Sequence, residues 1–247
     1  MSKSQGIMRT FFLLSLAGFS GTLSVYPYLR VTFAEVMQAS GLAGSQFFVL
    51  LMVQGAVISL LLSWAGLLMA RKTGLGTPIF TSLLYERGQG ISLKQSFLVP
   101  AVLGIALGLF LIAADTIFFQ DAIMQTGLAR PPVSARLLAC LYGGITEEIT
   151  MRLFLLNMII LLISLLFKGT IRGDMVLVAI GASALLFSLG HLLNAEALGN
   201  ISFLFRLRVI LLNSVGGLLF GYLYWKRGLA AAMAAHLAAD LVVQLLP

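Results

Sequence analysis

The sequence predicts an all-α integral membrane protein, a polytopic bundle of about seven transmembrane helices around an intramembrane polar chamber. Of its 247 residues, 60% are hydrophobic and only 10% are charged, whereas an ordinary soluble domain is about 45–50% apolar and about 25% charged. Apolar runs long enough to cross a bilayer recur along the whole chain. Both histidines and a pair of adjacent glutamates lie inside these runs. Ionisable groups at bilayer depth are costly and usually functional, so they predict the polar chamber.

Each span follows from its apolar length. A helix rises about 1.5 Å per residue, so about 20 residues suffice for one crossing. The first span resembles a signal sequence in outline, but no small-residue cleavage site follows it, and we expect a retained helix. The fourth span is too long for a simple crossing, so it must tilt, project into water or bend near Gly143 and Gly144. The predicted spans are residues 8–27, 44–70, 97–119, 134–167, 175–198, 207–225 and 229–246.

The net charge of +7 invites a nucleic-acid interpretation, which the distribution of charge excludes. The basic residues lie between apolar spans rather than on one face, as topology-setting residues do. The partner is therefore the lipid bilayer of the cell membrane, with no nucleic acid. The connections that carry more lysine and arginine are expected on the cytoplasmic side, which predicts a cytoplasmic N-terminus and an external C-terminus. These connections are the N-terminus, the polar connection 71–96, Lys168 with Arg172, and Lys226 with Arg227.

The fourth span carries two carboxylates with different expected roles. Glu148 and Arg152 are four residues apart with the acid first, the favourable order for a helical ion pair. Glu147 lies about 100° around the helix from Glu148, so it points elsewhere and keeps its basicity. Glu147 is thus a candidate for taking and returning a proton. The alternative is that both acids belong to one structural network.

The two histidines lie in later spans. His191 follows Phe187 by one helical turn, and His236 precedes Asp240 by one turn. An aspartate beside a histidine can set its tautomer and raise its basicity, or polarise a hydrogen bond to substrate. The alternative for each histidine is a packing role.

Cys140 and Asp115 also lie inside the predicted spans, and neither is assigned a catalytic role. Cys140, the only cysteine, excludes an internal disulfide. It lies two turns before Glu147, so it is either a nucleophile or a buried, inert thiol. Asp115, close to Asp121, is read as an interfacial, solvated residue.

The sixth span combines an amide with small residues. Small side chains at helical spacing let helices approach closely in lipid, which predicts a packing role here. Asn213 could instead donate a hydrogen bond to substrate. The small residues are Ser214, Gly216, Gly217 and Gly221.

Three short motifs occur in order in the fourth, fifth and seventh spans: Glu-Glu-x-x-x-Arg, Phe-x-x-x-His and His-x-x-x-Asp. Together they resemble the CAAX prenyl protease and bacteriocin-processing (CPBP, Abi) family of intramembrane endopeptidases, over about 115 residues. The resemblance implies that Glu147 and His191 activate the attacking water, and that His236 and Asp240 stabilise the oxyanion. Asp240 stands where the prenyl-protease branch more often has asparagine. A carboxylate cannot donate a hydrogen bond, so Asp240 would instead orient His236.

The resemblance also divides the chain and leaves the role of metal open. Residues 1–130 would form three peripheral spans, and residues 131–247 a catalytic core of four. No His-Glu-x-x-His zinc helix is present. We favour a site without a cofactor, but zinc on Glu147, His191 and His236 is the alternative.

The predicted function is hydrolysis of a peptide bond in a membrane-associated peptide or protein, which could be lipidated. Acids and histidines in spans also mark ion paths, so a transporter or proton-coupled carrier is an alternative. The other is a non-catalytic scaffold or bacteriocin-immunity protein.

Overall fold

The computed structural model describes residues 3–41, 43–77, 80, 92, 94–127, 129–199 and 201–246, and every regular element in this part of the chain is helical. The predicted all-α class is therefore confirmed. Much of the predicted polar connection 71–96 lies outside the described residues. The helices are α1 Lys3–Ser24, α2 Tyr26–Thr32, α3 Ala34–Ala39, α4 Gly44–Thr73, α5 Lys94–Met124, α6 Val133–Leu165, α7 Gly173–Glu196, α8 Phe203–Arg227 and α9 Leu229–Leu245.

Within the described ranges, six segments are long and apolar enough to cross a membrane: α1 with α2, and each of α4 to α8. The protein is a multi-pass integral membrane protein. The predicted count of about seven differs by one, because α9 is a shorter apolar helix of 17 residues. That length spans about 26 Å. Gly228, at φ 85°, separates α8 from α9 as a single residue, a backbone conformation that favours glycine.

Helices α7 and α8 pack closely and antiparallel. A Cβ on Gly217 would lie 2.8 Å from Ala184, and one on Gly221 would lie 2.9 Å from Ile180. The hydroxyls of Ser188 and Ser214 hydrogen bond at 2.8 Å. Small residues thus bring the two helices together, as predicted for α8.

Helix α9 lies against α5, α6 and α8, with its small residues at the contacts. Ala231, Ala232 and Ala235 are fully buried. A Cβ on Gly108 of α5 would lie 2.8 Å from the carbonyl oxygen of Ala239. Helices α5 and α6 each approach α9 closely. Helix α9, which carries one of the two histidines, therefore lies in the interior of the bundle.

Helix α6 adopts wider, π-type turns over Tyr142–Glu147 and Ile149–Leu156. Gly143 and Gly144, where the sequence suggested a bend, lie in the first of these segments. A Cβ on Gly144 would lie 2.8 Å from the side chain of Leu237. Glycine therefore lets α6 approach α9 at the point where the glutamates begin. Such π-type turns are frequent at functional sites.

Candidate active site

Helices α6, α7 and α9 bring the predicted acid and both histidines together. One carboxylate oxygen of Glu147, Oε1, lies 3.8 Å from Nε2 of His191, and Oε2 lies 3.9 Å from Nε2 of His236. All three side chains line a cavity of about 470 Å³, as does Asp240. The residues that the motifs select from three separate helices therefore meet around one space.

Glu148 is fully buried and contacts two partners. Its Oε2 lies 3.4 Å from Nε of Arg152, which confirms the predicted ion pair. Its Oε1 accepts a hydrogen bond of 2.8 Å from Nδ1 of His236. The two glutamates thus separate as predicted: Glu147 faces the cavity, and Glu148 lies behind the histidine.

Asp240 contacts the other nitrogen of the same ring. Its Oδ1 lies 3.7 Å from Nε2 of His236, beyond hydrogen-bond distance. The ring donates its orienting hydrogen bond to Glu148, which corrects the expectation that Asp240 would orient it. Asp240 also packs on the backbone of Gly143, since a Cβ there would collide with Oδ2.

The His191 ring is oriented by its own helix. Nδ1 lies 3.0 Å from the carbonyl oxygen of Phe187, an acceptor, so Nδ1 carries the proton. The neutral ring then presents the Nε2 lone pair towards Glu147. The side chain is 35% exposed. His191 is therefore available to bound molecules and is not a buried packing residue.

Two aromatic rings, those of Phe187 and Phe220, pack against the charged groups of the site. Phe220 stacks on His236, with ring centroids 4.3 Å apart and an interplanar angle of 18°. The guanidinium of Arg152 lies 5.2 Å from the ring of Phe187 and 5.6 Å from that of Phe220, within cation–π range. Arg152 also donates a hydrogen bond of 3.3 Å to the carbonyl of Gly217. A buried cation is thus held among rings, a carbonyl and Glu148.

Sequence reasoning missed part of the cavity wall. Arg208 of α8 forms a forked pair with Asp115 of α5, with bonds of 2.6 and 2.5 Å, and both line the cavity. Asp115 is therefore paired, which corrects its assignment as a solvated interfacial residue. Tyr142 and Asn194 also line the cavity, but no periodicity signal marked them.

Cys140 is buried, and its thiol donates to the carbonyl of Arg136 at 3.3 Å. It is absent from the residues that line the cavity. Of its two predicted roles, the geometry favours the inert, buried thiol.

A metal-free site stays a prediction. No group of three or more His, Cys, Asp or Glu residues in the described ranges has the arrangement of a metal site. Nδ1 of His236 is bonded to Glu148, whereas its Nε2 and that of His191 lie 3.9 and 3.8 Å from the Glu147 carboxylate. A catalytic zinc ion needs three donors at about 2.0–2.2 Å from one point.

Residues 129–242 match the family model described as Type II CAAX prenyl endopeptidase Rce1-like. No curated protein and no solved structure matches the chain. The matched segment, somewhat less than half of the 247 residues, contains all three motifs. It is similar to the CAAX-type intramembrane endopeptidases. This class favours a peptide or protein substrate over the carrier and scaffold alternatives.

Proposed function

We propose that the protein hydrolyses a peptide bond of a membrane-associated or lipidated peptide or protein, using a water molecule activated by Glu147 and His191. The observation that carries this proposal is the meeting of Glu147 with both histidines at 3.8 and 3.9 Å in one cavity. The spaces between these atoms exceed a direct hydrogen bond. A water molecule can bridge such distances.

In the proposed reaction, Glu147 takes a proton from the water while the Nε2 lone pair of His191 accepts a hydrogen bond from it. The hydroxide attacks the peptide carbonyl carbon, and the carbonyl π electrons move to oxygen to form a tetrahedral oxyanion. Glu147 then returns the proton to the amide nitrogen, and the C–N bond breaks to give a carboxylic acid and an amine. General acid–base catalysis of this kind contributes about 10²–10⁴-fold.

His236 is proposed to stabilise the oxyanion through an Nε2–H donor. Nδ1–H donates to Glu148, so donation from both nitrogens requires the protonated ring. Three carboxylates, those of Glu147, Glu148 and Asp240, lie within 4 Å of the ring to balance its charge. Phe220, stacked on one face, supports the ring orientation.

The test incubates the purified full-length protein in detergent with peptides that differ only in one S-prenyl group, with and without EDTA. We expect cleavage at one site, preference for the lipid-bearing peptide, and equal rates with chelator, because the proposed water activation uses no metal. Mass spectrometry of the products identifies the cleavage site.

The outcomes separate the parts of the proposal. Activity that is lost with EDTA and restored by zinc would overturn the metal-free mechanism but keep the hydrolase. Equal cleavage of both peptides would overturn the lipid preference. No cleavage of any peptide by the wild-type protein would contradict hydrolysis itself.

A further inference from the structure

We propose that Asn213 is an additional catalytic residue, whose side-chain amide donates a hydrogen bond to the tetrahedral oxyanion. This inference rests on the hydrolytic function proposed above. Oxyanion sites usually combine more than one donor. His236 supplies one, but Asp240 is an acceptor when ionised. A second donor must therefore come from another residue of the cavity wall.

The side of α8 that faces the cavity carries Asn213 in line with the ring stacked on His236. The cavity-lining residues Val209, Asn213, Gly216 and Phe220 follow one another at intervals of three or four, the spacing of a single helix face. Phe220 contacts His236 at a centroid distance of 4.3 Å. Gly216 has no side chain, and a Cβ there would lie 3.4 Å from the ring of Phe220.

The register of α7 against α8 sets the depth of Asn213. The hydrogen bond between Ser188 and Ser214 places these residues at the same level of two antiparallel helices. His191 is three residues beyond Ser188, and Asn213 is one residue before Ser214, in the same axial direction. At about 1.5 Å per residue, Asn213 and His191 differ in depth by about 3 Å. The amide thus lies within one helical turn of the depth of His191, one of the two groups proposed to activate the water.

The Asn213 amide is oriented and still has a donor to offer. Its Nδ2 donates one hydrogen bond of 2.8 Å to the carbonyl of Val209 on its own helix. A side-chain amide has two N–H donors. Among the described residues, the bond to Val209 uses one of them, and the second is available to a bound molecule in the cavity. An amide oriented in advance in this way is the form of donor that stabilises a developing charge without reorganisation.

The experiment measures kcat and KM of four variants of the full-length protein on the peptide that the wild type cleaves. Asn213→Ala removes the donor, and Asn213→Asp replaces it with an acceptor of the same shape. We expect both to lower kcat by about 10²–10³-fold, the usual effect of losing one oxyanion donor, with KM changed by less than threefold. Gln120→Ala removes a side-chain amide on the exposed surface, away from the cavity lining, and is expected to change kcat less than threefold.

The fourth variant, Asn213→Ala with Asp240→Asn, restores an amide donor on α9. We expect its kcat to be at least tenfold higher than that of Asn213→Ala. A purely structural role of Asn213 does not predict this rescue. Binding of a phosphinate peptide, which mimics the tetrahedral anion, supplies a readout independent of turnover. Its affinity should fall about 100-fold in Asn213→Asp, while that of the uncleaved parent peptide stays constant.

Two results would overturn the proposal. If Asn213→Asp retains kcat and phosphinate affinity within threefold of an active wild-type protein, Asn213 does not contact the oxyanion, although hydrolysis stands. If the wild-type protein cleaves no peptide, the hydrolytic function fails and this inference fails with it.

Discussion

Glu147→Gln is expected to lower kcat by about a thousandfold or more, because the amide has the shape of the carboxylate but cannot take a proton from water. Among the described residues, Glu147 is the acid with an oxygen within 4 Å of a ring nitrogen of each histidine. Stability should change little, since Glu147 makes no ion pair with a lysine or arginine among the described residues. The rate of peptide cleavage and the melting temperature in the same detergent are the two measurements.

The matched control is Glu196→Gln at the end of α7. Glu196 pairs with Arg206 at 2.5 Å on the exposed surface, away from the cavity lining. Its substitution should leave the cleavage rate unchanged. Activity of Glu147→Gln above one tenth of the wild-type value would remove Glu147 from the role of proton acceptor.

Arg152→Ala is expected to be the most destabilising single change in the candidate site. Arg152 and Glu148 are 1% and 0% exposed, and breaking a buried pair by removing one partner costs about 3–5 kcal/mol, because it leaves an uncompensated buried charge. Glu148 also accepts the hydrogen bond from His236, so activity should fall as well. Unfolding in mixed micelles measures the loss of stability.

A second substitution distinguishes the buried charge from the lost packing. In Arg152→Met with Glu148→Gln, neither charge remains, so we expect more stability than in Arg152→Met alone. Arg206→Ala, at an exposed pair, should have little effect. If Arg152→Ala and the wild-type protein unfold at the same denaturant concentration, the Glu148–Arg152 pair does not contribute to the stability of the bundle.

The sequence predicted those features that depend on one helix alone. The Glu148–Arg152 pair follows from a spacing of four residues, and the unusual length of α6 with its glycines indicated the irregular segment at Gly143. The bounds of α9 were predicted to within one residue, 229–246 against Leu229–Leu245. Its count as a seventh span differs, because 17 residues are fewer than in the six longer apolar segments.

Contacts between helices could not be predicted in the same way. The bond from His236 to Glu148 joins residues 88 apart, and hydropathy does not specify how α6 and α9 rotate towards each other. The same holds for Asp115 and Arg208, which are 93 residues apart. Taken singly, each has the sequence pattern of a charge at the membrane interface, and neither indicates its partner. The meeting of Glu147 with the histidines was expected because ionisable residues inside the spans predict a polar chamber and because the motifs resemble a family.

The most direct test of the central claim is a double-mutant cycle on Glu147 and His191, measured as kcat/KM for peptide cleavage. Residues that act on one water molecule as a unit have strongly non-additive effects. We predict that Glu147→Gln with His191→Gln is no slower than the slower single variant, within about threefold. If the loss of kcat/KM in the double variant equals the product of the two single losses, the residues do not share a water molecule. That result would contradict the proposed mechanism.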